Sequence, residues 1–378
     1  MNDKPIIPVD SLDESRKAID RIDTQIVRLF AERMQQSRII AEYKKAHSLP
    51  ILNAEREAAV LQSRAEMTDD PHLSADIKAL FKEIMRLSKD EQYRYLDSRL
   101  TGEAVAYCGI PGAFSESAVV SFFGESSMRL PFRTFDEVFS AVAGGQARYG
   151  VVPVENSSSG SVSDVYDLLG RYDCHIVGEQ LVRVKHCLLT LPGAKLSEIR
   201  SVFSHEQGFA QCPGFLSRHP DWKLIPYFNT AISARYVAEQ GDPSNAAIAS
   251  RLAAAHYGLQ ILVPDIHSFD GNHTRFFIVA ASPLSIGVPN KATVTFALHH
   301  ERGTLHRALS AFVALGFNLT HIESRPLHEN NWEYCFYVDV VGNVSQENLD
   351  ILMDALSADC VNCRLLGAYP AALPENDG

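Results

Sequence analysis

The residues best suited to chemistry form the run Gly271, Asn272, His273, Thr274, Arg275 and Phe276. A polar loop precedes it. An apolar stretch from Phe276 to Ala281 follows and reads as a buried strand. A Thr–Arg pair at a strand mouth offers a hydroxyl that can donate a hydrogen bond and a fixed cation beside it. That combination suits an anionic substrate that must lose an oxygen. Taken alone, the run also reads as a Gly-Asn turn with a capping threonine. Three other polar loops share its character: Gly109 to Ser115, Pro153 to Gly160, and Ser204 to Cys212. Such Gly- and Ser-rich loops can cradle a carboxylate with backbone N–H groups and hydroxyls. No nucleotide motif, GxGxxG or GxxxxGK, accompanies them. His205-Glu206 lacks the second histidine of a helical metal motif, and His299-His300 has no carboxylate pattern around it. Cys360 and Cys363 form a CxxC without a second ligand pair, so neither zinc nor redox chemistry is expected there. The expectation is a site without metal or cofactor.

A second set of candidates lies on a helix. From Ser11 to His47 there is no Pro or Gly, and apolar residues recur at helical period. A helix of about 36 residues would be about 54 Å long and needs a partner to pack against. Arg33 and Lys44 fall about 20° off a common stripe and can address one ligand. Arg16 stands about 25 Å further along the axis, out of reach of the same pocket in the same chain. Asn53 reads as the N-cap of a second helix running to about Met67. Ser74 reads as the cap of a third, ending near Leu96. On that third helix the seam Ile77, Leu80, Phe81, Ile84 continues into Ser88 and Gln92. The two polar residues either line a pocket inside a helical bundle or mark where the helix emerges into water.

The elements that must position these residues are bounded by size and composition. The chain has 378 residues, too many for one ordinary core, and 46% are hydrophobic, so two or three globular domains are expected. A net charge of −11 argues against nucleic acid or an anionic membrane as a partner. No apolar run approaches a membrane span and Met1 to Asp10 lacks a signal-peptide core. Seven scattered cysteines suit free thiols in a cytoplasm. After Leu100, strand and helix patterns alternate, the signature of parallel βαβ units. Ala281 to Lys291 reads as a linker. Beyond it come strands at 293–299, 317–324, 332–341 and 362–368 with helices at 304–315 and 345–357, a βαββαβ order that is ferredoxin-like.

Three resemblances follow. The pattern Arg16, Ala31-Glu32-Arg33, Lys44, Arg56-Glu57, Ser88 and Gln92 resembles the all-helical chorismate mutase domain, residues 1–100. This implies an intertwined dimer of three-helix subunits, in which Arg16 of the partner subunit and Arg33 hold the substrate carboxylates. Lys44 and Gln92 would address the ether oxygen, and Glu57 the ring hydroxyl. Asn53, where related proteins carry Asp, together with Ser88 and Arg56 would complete the wall. The four loops resemble the prephenate dehydratase domain, a two-lobed fold similar to type 2 periplasmic binding proteins, residues 103–282. This implies an essential Thr274 with Arg275 beside it, and substrate contacts from Asn156, Ser204, Gln211 and Thr230. Residues 293–370 resemble a regulatory ACT domain. Glu323, Ser324, Arg325 and Pro326 match its phenylalanine motif, whereas Gly303-Thr304-Leu305-His306 departs from a common Gly-Ala-Leu-Val.

The function implied is that of a bifunctional enzyme of L-phenylalanine biosynthesis. It would convert chorismate to prephenate and prephenate to phenylpyruvate, as a homodimer or higher homo-oligomer with L-phenylalanine as effector. Two other readings stay open. One is a ligand-binding sensor with a helical arm, and the other a dehydratase whose helical domain only dimerises.

Overall fold

The computed structural model describes residues 12–46, 54–97, 103–269, 271–283, 286–298, 301–326 and 334–372. The chain divides into two compact units, Met1–Ser98 and Arg99–Gly378.

The first unit is helical: α1 (Leu12–Ala46), α2 (Ala54–Ala65) and α3 (Pro71–Asp97). The uninterrupted α1 is as its Pro- and Gly-free sequence requires. α3 starts earlier than Ser74. The Asp70 carboxylate accepts from the N–H of His72 at 2.9 Å and Leu73 at 3.4 Å, and Pro71 stands where no intrahelical donor is needed. Ser74 instead donates to the Ala65 carbonyl at 2.9 Å, tying α3 to the end of α2. The three helices bury Ser37, Ala41, Ala65, Met85, Ser88 and Gln92. Ile77, Phe81 and Ile84 are half-buried as the seam predicts, but Leu80 is 57% exposed. On α1, Ile19, Ile22, Ile26 and Leu29 are all more than half exposed, an apolar stripe that α2 and α3 leave open.

The second unit begins with a mixed sheet. Its elements are β1 (Ala104–Cys108), α4 (Phe114–Phe123), β2 (Met128–Phe132), α5 (Phe135–Ala143), β3 (Tyr149–Asn156), β4 (Gly160–Ser161), α6 (Ser163–Arg171) and β5 (His175–Arg183). The chain then crosses to a second lobe. This holds β6 (Cys187–Thr190), β7 (Ser201–Ser204), α7 (Glu206–Ala210), α8 (Pro213–Leu216) and β8 (Lys223–Pro226). α9 (Thr230–Gln240), β9 (Asn245–Ala249), α10 (Arg251–Tyr257) and β10 (Gln260–Val263) complete it. β11 (His273–Ala280) returns to the first lobe, giving sheet orders β2-β1-β3-β11-β5 and β10-β6-β9-β7-β8. The expected parallel pairing holds for β1 with β2 and β3, and for β7 with β8 and β9. It fails for β11, which re-enters from the far lobe and runs antiparallel to both β3 and β5. The two crossovers pair with each other: Val184 N–H donates to Asn272 O and Ile266 N–H to His186 O, each at 2.8 Å.

The C-terminal module comprises β12 (Lys291–Leu298), α11 (Thr304–Ala314), β13 (Asn318–Pro326), β14 (Tyr334–Val341), α12 (Gln346–Ser357) and β15 (Cys360–Tyr369). Its antiparallel sheet has the order β13-β14-β12-β15. β12 starts at Lys291, inside the expected linker, because Lys291 pairs with both Val341 and Tyr369. The module is welded to the first lobe. Tyr337, Leu366 and Tyr369 share a hydrophobic core with Val165, Tyr166, Leu169 and Phe277. Gly367 passes β5 so closely that a Cβ there would collide with the Ile176 carbonyl.

Candidate functional sites

In the helical unit, α1 and α3 bring Arg33, Ser88 and Gln92 together. Arg33 Nη1 donates to Ser88 Oγ, which in turn donates to Ile84 O at 2.8 Å. Gln92 Nε2 reaches Ser88 O at 3.3 Å, and its buried Oε1 has no partner among the described residues. Ser88 and Gln92 are thus buried inside the bundle and do not mark an emergence into water. Lys44, near the end of α1, stands close to Glu57 and Lys89. Burial lowers its pKa, nearby Glu57 opposes that shift, and Lys89 adds to it. Burial and the charge of Arg64 lower that of Arg33. Glu57 also holds Lys89, Nζ to Oε1 3.0 Å, a cation that the sequence reading did not single out. Arg56 and Arg16 are exposed. Asn53 lies outside the described residues.

In the second unit, the crevice between the lobes holds a cavity of about 260 Å³. Asn156 and Thr274 line it from the first lobe, and Gln211 and Thr230 from the second. Sequence reasoning had named all four. The hydrogen bonds here run in one direction. The Asn156 carbonyl oxygen accepts from the backbone N–H of Ser158 at 3.0 Å and of Ser159 at 3.1 Å. This fixes the amide so that Nδ2 donates to Thr274 Oγ1 at 2.9 Å and to Asn272 Oδ1 at 3.1 Å. Thr274 is thus an acceptor toward the protein, and its own proton is free for a ligand. From the second lobe, Gln211 donates to Ser158 Oγ at 3.1 Å and Gln207 to Ser159 Oγ at 3.0 Å, so the Ser loop also fastens the lobes together. Thr230 opens α9 behind the cap Asn229, whose side chain accepts from Ile232 N–H at 2.7 Å. Its helix N-terminus presents N–H groups and a favourable dipole to an anion.

Two expected contacts are corrected. Ser204 is fully buried behind the wall and donates to Ile248 O at 3.0 Å. Arg275 does not line the cavity. Side chains alternate along β11, so Arg275 points away from the face that Thr274 presents. Its Nη1 lies 2.5 Å from Asp339 and 3.3 Å from Glu179, and its Nε 3.1 Å from Glu155. Burial works against its charge, but Asp339, Tyr166, Tyr369 and Glu179 outweigh that and raise its pKa. The sequence reading missed His186 and Phe228 on the cavity wall. A lone histidine in the run Val182 to Leu189 carries no periodic signal that marks it.

In the C-terminal module, Gly303 caps α11 with φ +83°, a conformation that favours glycine. Leu305 packs half-buried against the module's core. Glu323 accepts from Ser161 Oγ at 2.7 Å, and Arg325 forks onto Asp167 at 2.8 and 2.6 Å. Ser324 and Pro326 alternate onto the exposed face of β13.

Comparison with known proteins agrees with a helical unit followed by a two-lobed one. Residues 15–93 match the family model for chorismate mutase type II, and residues 105–283 that for prephenate dehydratase. The bifunctional chorismate mutase/prephenate dehydratase of Escherichia coli (strain K12) is 32% identical, covering 94% of this chain and 95% of that protein. That of Aquifex aeolicus is 32% identical, over 97% and 99%. Among solved structures, the prephenate dehydratase of Arthrobacter aurescens in complex with L-Phe is 30% identical with a TM-score of 0.65, covering 70% of this chain and 89% of that one. GqqA, a quorum quenching acylase, is 33% identical with a TM-score of 0.65, over 71% and 98%. The two family models, in this order along the chain, and relatives 32% identical over nearly its whole length place this chain in the bifunctional chorismate mutase/prephenate dehydratase family.

Proposed function

We propose that prephenate binds in the interlobe cavity with its ring hydroxyl on Thr274. The observation that carries this is the donation from Asn156 Nδ2, which leaves the Thr274 proton to the ligand. A hydrogen bond from Thr274 stabilises the departing oxygen as charge builds on it. Loss of the ring carboxylate as carbon dioxide and of the hydroxyl as water then gives phenylpyruvate. The cavity wall has no Lys or Arg among the described residues, so recognition of the carboxylates falls to Gln207, Gln211 and the N-terminus of α9 at Thr230. Steady-state turnover of prephenate by the wild-type chain and by Thr274→Ala is the test. An active Thr274→Ala enzyme would sink the assignment.

For the mutase, Arg33 and, from a second copy, Arg16 hold the carboxylates of chorismate. Lys44 and the Gln92 amide, turned to present its N–H, address the ether oxygen, and Glu57 the ring hydroxyl. Ser88 orients Arg33, and Arg56 and Asn53 close the pocket. The apolar stripe Ile19, Ile22, Ile26, Leu29 supports pairing of α1 with a second copy as a homodimer. The βαββαβ module supports a ferredoxin-like ACT domain. Its Gly303, Leu305 and Glu323 to Pro326 segments then bind L-phenylalanine, and the enzyme works in the cytoplasm.

A further inference from the structure

We infer that His186 is the proton donor to the hydroxyl that leaves prephenate, a catalytic residue of the dehydratase site. The inference rests on the dehydratase assignment above and adds the acid which Thr274, an ordinary aliphatic hydroxyl, cannot supply.

The protonation pattern of the cavity wall follows from its backbone donors. Asn156 Oδ1 faces two N–H groups and can only accept, so Ser158 gives it the hydroxyl proton at 2.6 Å. Ser158 Oγ must then accept from Gln211, at 3.1 Å, which fixes the Gln211 amide nitrogen on that side. Gln211 Oε1 is left facing His186 Nε2 at 2.7 Å, so that nitrogen carries a proton. A neutral imidazole carries only one. His186 Nδ1 is therefore a bare lone pair.

His186 is 2% exposed and lines the same cavity as Thr274, yet its buried Nδ1 has no partner among the described residues. A buried acceptor left unmatched is costly, and such groups persist where they serve a ligand. Prephenate, with both carboxylates ionised, has one O–H to offer, its ring hydroxyl. That oxygen can accept from Thr274 while it shares a proton with Nδ1. In the free protein, burial lowers the imidazole pKa, the hydrogen bond with Gln211 opposes that shift, and His267 adds to it. The substrate brings two negative charges into the cavity, which favour the imidazolium.

The step balances. The C–C bond to the ring carboxylate breaks, and its electron pair enters the ring. The C–O bond to the hydroxyl breaks toward oxygen, and the Nδ1 proton goes to that oxygen. Carbon dioxide, water and phenylpyruvate form, and His186 returns to the neutral form with Nε2 protonated. Solvent supplies the next proton.

The titratable groups near His186 leave this role to it. His267 opposes a second positive charge, and His205 lies on the cavity wall. Lys185 is its chain neighbour. On α4, next to Phe114, Glu116 is already held by Arg129 and His256, and on α7 Glu206 is exposed.

The test uses the full chain with His186→Gln and His186→Asn, read by pH profiles of kcat and by prephenate KM. Glutamine keeps an N–H near the Nε2 position for Gln211 but has no acid at the Nδ1 position. Both variants should lose about 10²- to 10⁴-fold in kcat with little change in KM. The wild-type kcat should fall as pH rises through the titration of the bound imidazole, and the variants should lack that limb. Wild-type kcat in His186→Gln, or a slower variant that keeps the wild-type limb, would overturn the inference. So would a flat wild-type kcat from about pH 5 to about pH 9, a result that does not depend on any variant folding. A wild-type chain without dehydratase activity would overturn the site assignment itself.

Discussion

Replacing Arg275 by methionine separates a structural guanidinium from one that holds substrate. Its side chain is 8% exposed and bridges Asp339, Glu179 and Glu155, while Lys291 Nζ reaches Glu179 at 2.8 Å. Methionine keeps an apolar stem against Phe277, over whose ring the guanidinium now sits at 5.0 Å. It leaves Asp339 and Glu179, side chains 1% and 3% exposed, with Lys291 as their remaining cation in the cluster. Breaking a buried pair in this way costs roughly 3–5 kcal/mol. At about 2 °C per kcal/mol for a unit of this size, the melting transition of the dehydratase unit should fall by about 6–10 °C. Adding Asp339→Asn removes one orphaned charge. The double variant should therefore be more stable than the two single losses sum to, by about 0.5–3 kcal/mol. Calorimetric melting of the four proteins and prephenate kinetics at a permissive temperature provide the readings. KM should stay within about threefold, since the guanidinium faces away from the cavity. A KM rise of about 30-fold or more with a small change in melting would refute this, because that is the cost of truncating a group that pairs directly with a bound charge.

Other outcomes follow from the same geometry. Thr274→Ala should lose about 10²- to 10³-fold in kcat with a smaller effect on KM, and Thr274→Ser should keep part of the rate, both read by phenylpyruvate formation. Asn156→Asp turns the donor to Thr274 into an acceptor that captures the threonine proton. Dehydratase kcat should fall by about the same factor while mutase activity is kept. Lys44→Ala should abolish mutase activity and spare the dehydratase. Mixing it with Arg16→Ala should restore some mutase activity in heterodimers, and verified heterodimers without recovery would argue against a shared site. L-Phenylalanine should bind the full chain by calorimetry and inhibit the dehydratase. Arg325→Ala, which removes the fork to Asp167, should weaken that inhibition more than it changes basal turnover.

The elements were largely legible in sequence because their patterns are local. The Pro- and Gly-free run gave α1, and the alternation after Leu100 begins with β1 at Ala104–Cys108. Ser88 and Gln92 could be placed because helical spacing states which face they share. The direction of β11 was not legible, since it depends on the chain leaving for the second lobe and returning. Arg275 was misassigned although the rule was at hand: neighbours on a strand face opposite ways, so Thr274 and Arg275 could not both meet one ligand. Ser204 failed for a different reason. Its hydroxyl is used up on Ile248 O, a contact between β7 and β9 that no local pattern reports. His186 needed Gln211 to give it meaning, and the two meet only because a crossover runs past the helices of the second lobe.

The core shared by the first lobe and the C-terminal module decides where this chain can be divided. Cutting between the two compact units severs no β-ladder among the described residues. A cut near residue 283 is another matter. It would strip Tyr337, Leu366 and Tyr369 from the core around Phe277 and leave Arg275 and Glu179 facing solvent without Asp339 and Lys291. Removing the C-terminal module to isolate the dehydratase should therefore yield an insoluble fragment. Release from control is better sought through point substitutions on β13, which leave that shared core whole. The shared core makes the first lobe and the C-terminal module a single folding piece.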